Sequence, residues 1–197
     1  MTLVLASGSK SRAALLTSAG LCFIADPANL DEAGLMAGLQ ARGSEAADIA
    51  AELARQKALA VSRHHPGCIV LGGDSVIFFG DELLSKCSSL EEARTLLQRL
   101  SGQTHLLVSA AALARDGALL WTHASPCRMT MRNLSPQFLE DYLVQEGEAI
   151  LSCVGCYHFE GRGAQLFDKV EGDYFSVLGL PLLPVLAQLR KEGALAS

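Results

Sequence analysis

Nothing in this sequence approaches the roughly 18 consecutive apolar residues of a membrane-spanning helix. Basic residues form no run, and the formal net charge is −5. A nucleic-acid polymer is therefore not the expected partner, because binding one calls for a basic face or tail. A small anion remains compatible, since a few cations and backbone N–H groups can hold one. The opening Met1-Thr2-Leu3-Val4-Leu5-Ala6 has no basic leader and only a short apolar run, so it does not read as a secretion signal. The expected location is the cytoplasm. The six cysteines, Cys22, Cys68, Cys87, Cys127, Cys153 and Cys156, are expected as reduced thiols. Cys153 and Cys156 form a C-x-x-C, but no second ligand pair has suitable zinc spacing. Gly155 and the following Tyr157-His158-Phe159 suit a loop or strand rather than the start of a redox helix. Ordinary buried or loop thiols are the expectation. The histidines show no metal-ligand spacing, and neither a Walker loop nor a Gly-x-Ser-x-Gly elbow is present.

What is present is enough for a packed core. The chain has 197 residues, 50% hydrophobic and 19% charged, which suits one α/β domain or two small lobes. Residues 3–6 read as a buried strand, broken by Ser7-Gly8-Ser9. A helix should begin near Ser9 or Lys10 and end at Gly20. Phe23-Ile24 suggests a second strand, and a long helix is expected over residues 44–63. Residues 68–71 read as a strand that breaks at Gly72-Gly73-Asp74 and resumes over residues 75–79. A short strand is expected over residues 82–85, and a Ser-capped helix over residues 90–100. Residues 106–114 and 119–123 flank Asp116-Gly117, a hairpin signal. Ser135-Pro136 opens another helix, Gly-rich loops follow, and a last helix should run from Pro181 to Arg190. Alternating strands and helices argue α/β with a mixed sheet.

Two local patterns could carry chemistry. A strand ending in Ser-Gly-Ser and feeding a helix presents backbone N–H groups and the positive helix end. Ser7, Ser9 and Ser11 add hydroxyls there. Lys10 and Arg12 add charge, and a guanidinium can hold two phosphate oxygens at once. The same pattern also fits an ordinary capped turn. At Gly72-Gly73-Asp74-Ser75, a carboxylate beside two glycines can approach a ligand closely, and could hold a divalent cation or activate water. It also fits a plain turn. Asp31, Glu32, Lys57, Lys86 and Glu160 are single charges that gain meaning only in a fold that gathers them.

Taken in order, these segments resemble the Maf family of nucleotide pyrophosphatases along nearly the whole chain. Leu5-Ala6-Ser7-Gly8-Ser9-Lys10-Ser11-Arg12 with Leu15-Leu16 is similar to the family's L-A-S-x-S-x-x-R opening. Asp31-Glu32 resembles its acidic pair, and Leu53-Ala54-Arg55-Gln56-Lys57-Ala58 its L-A-x-x-K-A helix. Gly72-Gly73-Asp74-Ser75-Val76 resembles G-x-D-[TSQ]-V. Lys86 stands at the family's K-P site, with Cys87 in place of Pro. Ser101-Gly102-Gln103-Thr104-His105 and Gly179-Leu180-Pro181-Leu182 are further signatures.

The resemblance implies a Maf/ITPase-like fold, with an elongated, twisted mixed sheet flanked by helices. It implies a single Maf-like domain over residues 1–197, with two lobes around a central cleft. It implies hydrolysis of a nucleoside triphosphate between the α- and β-phosphates, in a house-cleaning role, with Mg²⁺, Mn²⁺ or Co²⁺ as cofactor and a homodimer admitted. Ser7, Ser9 and Arg12 would hold the triphosphate. Lys57 and Lys86 would neutralise charge developing in the transition state. Asp74 would be the general base, with Glu32 assisting through a metal held by Glu32 and Asp74. In the branch similar to dTTP and UTP pyrophosphatases the later signature reads D-K-A-G-x-Y-x-x-Q-G. Here Cys153-Val154-Gly155-Cys156-Tyr157-His158-Phe159-Glu160-Gly161 is closer to the C-A-G-x-x-x-x-E-G of the 7-methyl-GTP branch. An ionised Glu160 accepts only, matching the adjacent N1–H and N2–H₂ donors of guanine and the positive charge of its 7-methyl form. A structural role for Glu160, a pyrimidine triphosphate substrate, a terminal phosphatase, and a nucleotide sensor linked to septum formation are the competing readings.

Overall fold

The computed structural model describes residues 2–196. The sheet is seven-stranded, in the order β2-β1-β3-β5-β6-β7, with β4 paired to β3. β1 (Leu3–Leu5) lies parallel to β2 (Phe23–Ala25) and to β3 (Ile69–Phe79). β4 (Glu82–Leu83) pairs antiparallel with the end of β3, and β7 (Phe167–Glu171) antiparallel with β6 (Ala118–Met131). The mixed α/β sheet expected from the sequence is what forms. The helices are α1 (Lys10–Ser18), α2 (Glu32–Ala41), α3 (Ala46–Ser62), α4 (Leu90–Leu100), α5 (Pro136–Glu146), α6 (Tyr174–Val177) and α7 (Leu182–Lys191). β5 spans Thr104–Arg115.

The chain divides into two compact units. One comprises residues 1–75, 108–126 and 173–197, and the other residues 76–107 and 127–172. In the first unit β1 is buried on both faces, as a central parallel strand must be. Leu3 and Leu5 pack with Leu16, Ile69, Leu71, Leu113 and Val185, while Val4 and Ala6 pack with Val61 and Val70. In the second unit α4 buries Ala93, Leu96, Leu97 and Leu100, one stripe at helical spacing. Ser89 caps its start through the Glu92 N–H.

The hairpin turn at Asp116-Gly117 has positive φ at both residues, 51° and 77°. That is the two-residue turn whose twist suits paired strands. Three expectations need correction. Gly72-Gly73-Asp74 does not break a strand, because β3 runs through it without interruption. The glycines serve close packing instead: a Cβ on Gly72 would collide with the Ala54 carbonyl oxygen of α3. β4 covers only Glu82–Leu83, not residues 82–85. The loops expected after α5 contain two 3₁₀ turns, Gly147–Ser152 and Arg162–Leu166, and the edge strand β7.

Candidate active site

In the first unit, β1 delivers the chain to α1 through Ser7-Gly8-Ser9. Ser9 is the N-cap, its Oγ accepting from the Arg12 N–H at 3.3 Å. Ser7 Oγ accepts from the Ser9 N–H at 3.3 Å. The first turn of α1 contains no acidic residue, so nothing on the helix itself offsets its positive end. Side chains in a helix lean toward its N-terminus, and Arg12 accordingly reaches back over this loop. Its Nε donates to the Gly179 carbonyl at 2.8 Å, Nη1 to Ser7 Oγ at 3.0 Å and Nη2 to Ser75 Oγ at 3.0 Å. The absent side chain of Gly73 makes room, since a Cβ there would lie 3.1 Å from Arg12 Cδ and Nε.

Every one of these acceptors is neutral. Arg12 is buried, and burial holds its guanidinium below its ordinary pKa, with Asp74 and then Glu32 opposing that shift through space. A guanidinium carries five N–H donors, and the three bonds leave one proton on each Nη. The result is a desolvated cation whose contacts do not neutralise it, which is the electrostatic requirement for an anion seat.

A second buried cation stands on α3. Ile49, Ala50, Leu53, Ala54, Ala58 and Val61 form the helix's buried stripe, and Lys57 lies within it. The contact of α3 with Gly72 brings Lys57 to β3, where Nζ donates to Asp74 Oδ1 at 2.5 Å. Nζ also donates to Glu32 Oε2 at 2.9 Å. Glu32 is the first residue of α2, which Asp31 caps through the Gly34 N–H at 2.9 Å. Two carboxylates thus share one ammonium, and Asp74 Oδ2 is the oxygen not taken by Lys57. Ser7, Ser9, Arg12, Glu32, Lys57 and Asp74, scattered over 68 positions of sequence, belong to one compact unit.

Lys86 and Glu160 lie in the other unit, both exposed and both outside regular helix or strand. Lys86 lines a cavity of about 370 Å³ with Leu84, Cys87, Thr95 and Arg99. Both charges act on Cys153. Burial raises that thiol's pKa, Glu160 pushes the same way and Lys86 opposes it. Burial likewise pushes the Cys156 thiol up to about 12, and the side chain of Cys87 pushes the same way. These are poorly ionised thiols in a turn, in line with the bland expectation for the C-x-x-C. The loop is pinned from beneath: the Tyr142 hydroxyl donates to the Cys156 carbonyl at 3.1 Å, and the Tyr157 hydroxyl meets His105 Nε2 at 2.9 Å.

Sequence reasoning missed Ser75, Ser109 and Gly179 as parts of the Arg12 setting. Ser109 carried a readable signal, as the single polar residue in the apolar run of residues 106–114. A divalent cation of the kind the resemblance implies takes hard oxygen ligands. Glu32 and Asp74 supply two carboxylates converging on one cationic atom. Among the described residues no group of three or more His, Cys, Asp or Glu side chains could hold a metal. Two carboxylates are within the one or two that an ion such as Mg²⁺ takes from a protein when phosphate oxygens complete its shell.

The chain matches the model of the Maf-like protein family over residues 2–192. It is 50% identical to a 7-methyl-GTP pyrophosphatase of Mesorhizobium japonicum, over 98% of this chain and 97% of that protein. It is 48% identical to a 7-methyl-GTP pyrophosphatase of Brucella abortus, over 96% of each chain. It is 44% identical to a nucleoside triphosphate pyrophosphatase of Granulibacter bethesdensis, over 99% of each chain. With the family match spanning residues 2–192 and relatives 44–50% identical over nearly the whole chain, the chain belongs to the Maf-like family.

Proposed function

We propose that this chain hydrolyses nucleoside triphosphates between the α- and β-phosphates, releasing a nucleoside monophosphate and pyrophosphate, and that it favours 7-methyl-GTP. The observation that carries the reading is the contrast between Arg12 and Lys57. Arg12 is a buried cation met only by neutral acceptors, and Lys57 is a buried cation gripped by two carboxylates. The first is an anion seat, and the second is a centre for moving a proton next to one.

Arg12 and the hydroxyls of Ser7 and Ser9 bind the phosphate tail at the α1 start. Lys57 holds Asp74 by Oδ1, which fixes the carboxylate and leaves Oδ2 to accept a proton from water. Asp74 is then the general base, and Lys57 balances the negative charge that grows on the phosphate oxygens, the role the family resemblance also implies for Lys86. Glu32 and Asp74 would hold the divalent cation, whose contribution is charge neutralisation and activation of water. Glu160 reads the base: its acceptor-only carboxylate suits the N1–H and N2–H₂ edge of guanine and the cationic ring of 7-methylguanine. The names of the Mesorhizobium and Brucella relatives support that preference.

A hydrolysis panel of 7-methyl-GTP, GTP, dTTP and UTP, with Mg²⁺ or Mn²⁺ and with products identified, tests the proposal. Monophosphate plus pyrophosphate is the expected outcome, fastest with 7-methyl-GTP. Preference for dTTP or UTP overturns the base assignment. Tight binding without turnover indicates a sensor instead.

A further inference from the structure

β5 is buried over most of its length, and Ser109 is a fully buried hydroxyl between Val108 and Ala110. Ser109 Oγ donates to the Ser176 carbonyl at 2.6 Å. A hydroxyl has one proton, so that bond uses it. Ser109 Oγ also lies 2.8 Å from Ser75 Oγ. In that contact Ser109 must therefore be the acceptor and Ser75 the donor. Ser75, its own proton so directed, presents a lone pair to Arg12 Nη2–H at 3.0 Å. The other outlet for the Ser75 proton, the Gly179 carbonyl, is 3.5 Å away and already accepts from Arg12 Nε at 2.8 Å. The far end of the chain is fixed too. Asp173 Oδ2 accepts from both the N–H and the hydroxyl of Ser176, each at 2.7 Å. All of these groups belong to one compact unit.

From this we infer that Ser109 is a positioning residue for Arg12. It fixes the direction of a hydrogen-bond chain running from Arg12 through Ser75 and Ser109 to the Ser176 carbonyl, and so sets the orientation of the guanidinium. Without the Ser109 lone pair, the Ser75 hydroxyl is free to turn its proton elsewhere. The geometry at Arg12 Nη2 is then no longer dictated, and the plane that presents the two remaining Nη protons loosens. The inference rests on the reading of Arg12 as the phosphate holder. Its structural half stands independently of that reading.

The test compares Ser109→Thr with Ser109→Val in the full chain. The two side chains have nearly the same shape and differ in the hydroxyl, so a packing role affects both alike. Rotation of the Arg12 guanidinium is measured by ¹⁵N NMR of the free protein, and product inhibition by pyrophosphate is measured in the hydrolysis assay. Ser109→Thr should keep slow rotation and near wild-type inhibition. Ser109→Val should rotate faster and weaken pyrophosphate inhibition by about ten-fold, the scale of a small misplacement of a binding group. Ser75→Ala should produce a similar loss, and adding it to Ser109→Val should cost little more, because both act through one chain. Equal rotation rates in Ser109→Thr and Ser109→Val overturn the positioning role. Absence of pyrophosphate inhibition in the wild-type protein, with rotation still split between the two variants, overturns the functional reading of Arg12 instead.

Discussion

Arg12, Lys57 and Asp74 are carried by a helix start, the middle of a helix and the middle of a strand, and each is at most 8% exposed. Lys86 and Glu160 are carried by loops and are exposed. The difference matches the roles proposed for each group. Holding the phosphate tail and the attacking water needs a cation and a base placed to a fraction of an ångström, which regular elements provide. Reading a base, or adding a charge from outside the core as proposed for Lys86, needs a correctly chosen side chain, which a loop can present and exchange without disturbing the core. The loop leading to Glu160 is held from beneath by the buried Tyr142 and Tyr157 hydroxyls.

The sharpest way to break this comparison is at Asp74. Asp74→Asn should lower turnover by ~10²–10⁴. Circular dichroism should be unchanged, and Lys57 keeps Glu32 as partner. Turnover within a few-fold of the original in that variant removes Asp74 as the base.

Next comes the foundation of the exposed loop. Burial lowers the His105 pKa from 6.5 to about 4, so the folded state holds a neutral imidazole. The unfolded chain takes up a proton as pH falls below 6.5. Stability is therefore full above that pH, is lost on descending toward 4 and is flat below it. The loss amounts to about 3 kcal/mol. Urea unfolding midpoints between pH 7 and 4 measure it, and His105→Gln should remove this component. A slope unchanged by the substitution contradicts the assignment.

Gly72→Ala probes the buried side of the comparison without touching a charge. The new methyl would collide with α3 backbone at the Ala54 carbonyl. About 1–3 kcal/mol of stability should be lost, together with activity, because the α3 to β3 spacing places Lys57 on Asp74. Melting temperature and kcat, measured together, report both.

Glu160→Gln should have the smallest effect on the fold, within about 0.5 kcal/mol for an exposed position. It should still shift the kcat/KM ratio of 7-methyl-GTP to UTP by about ten-fold toward UTP, the low end of what one hydrogen bond to a charged group contributes. An unshifted ratio removes Glu160 from base reading.

Much of the buried half was legible in the sequence, because capping and periodicity are local rules. Ser9 as cap, Arg12 in the first turn and Lys57 on a long helix follow from spacing alone. Family order linked them, and the structure shows how: α3 seats on Gly72 and so brings Lys57 to Asp74. Gly72-Gly73 was misread as a break for the same reason. Two glycines look like a turn locally, and their use as contact surface for α3 and Arg12 is visible only in three dimensions. α2 was missed because Gly34 and Gly38 weaken its helical signal, although Asp31 is a good cap. The Ser75–Ser109–Ser176 chain joins three distant segments, and no local rule predicts such a path.

The most direct test of the central claim is product identification from 7-methyl-GTP hydrolysed by the wild-type protein with Mg²⁺. The account predicts 7-methyl-GMP and pyrophosphate in equal amounts. Release of 7-methyl-GDP and inorganic phosphate would contradict it.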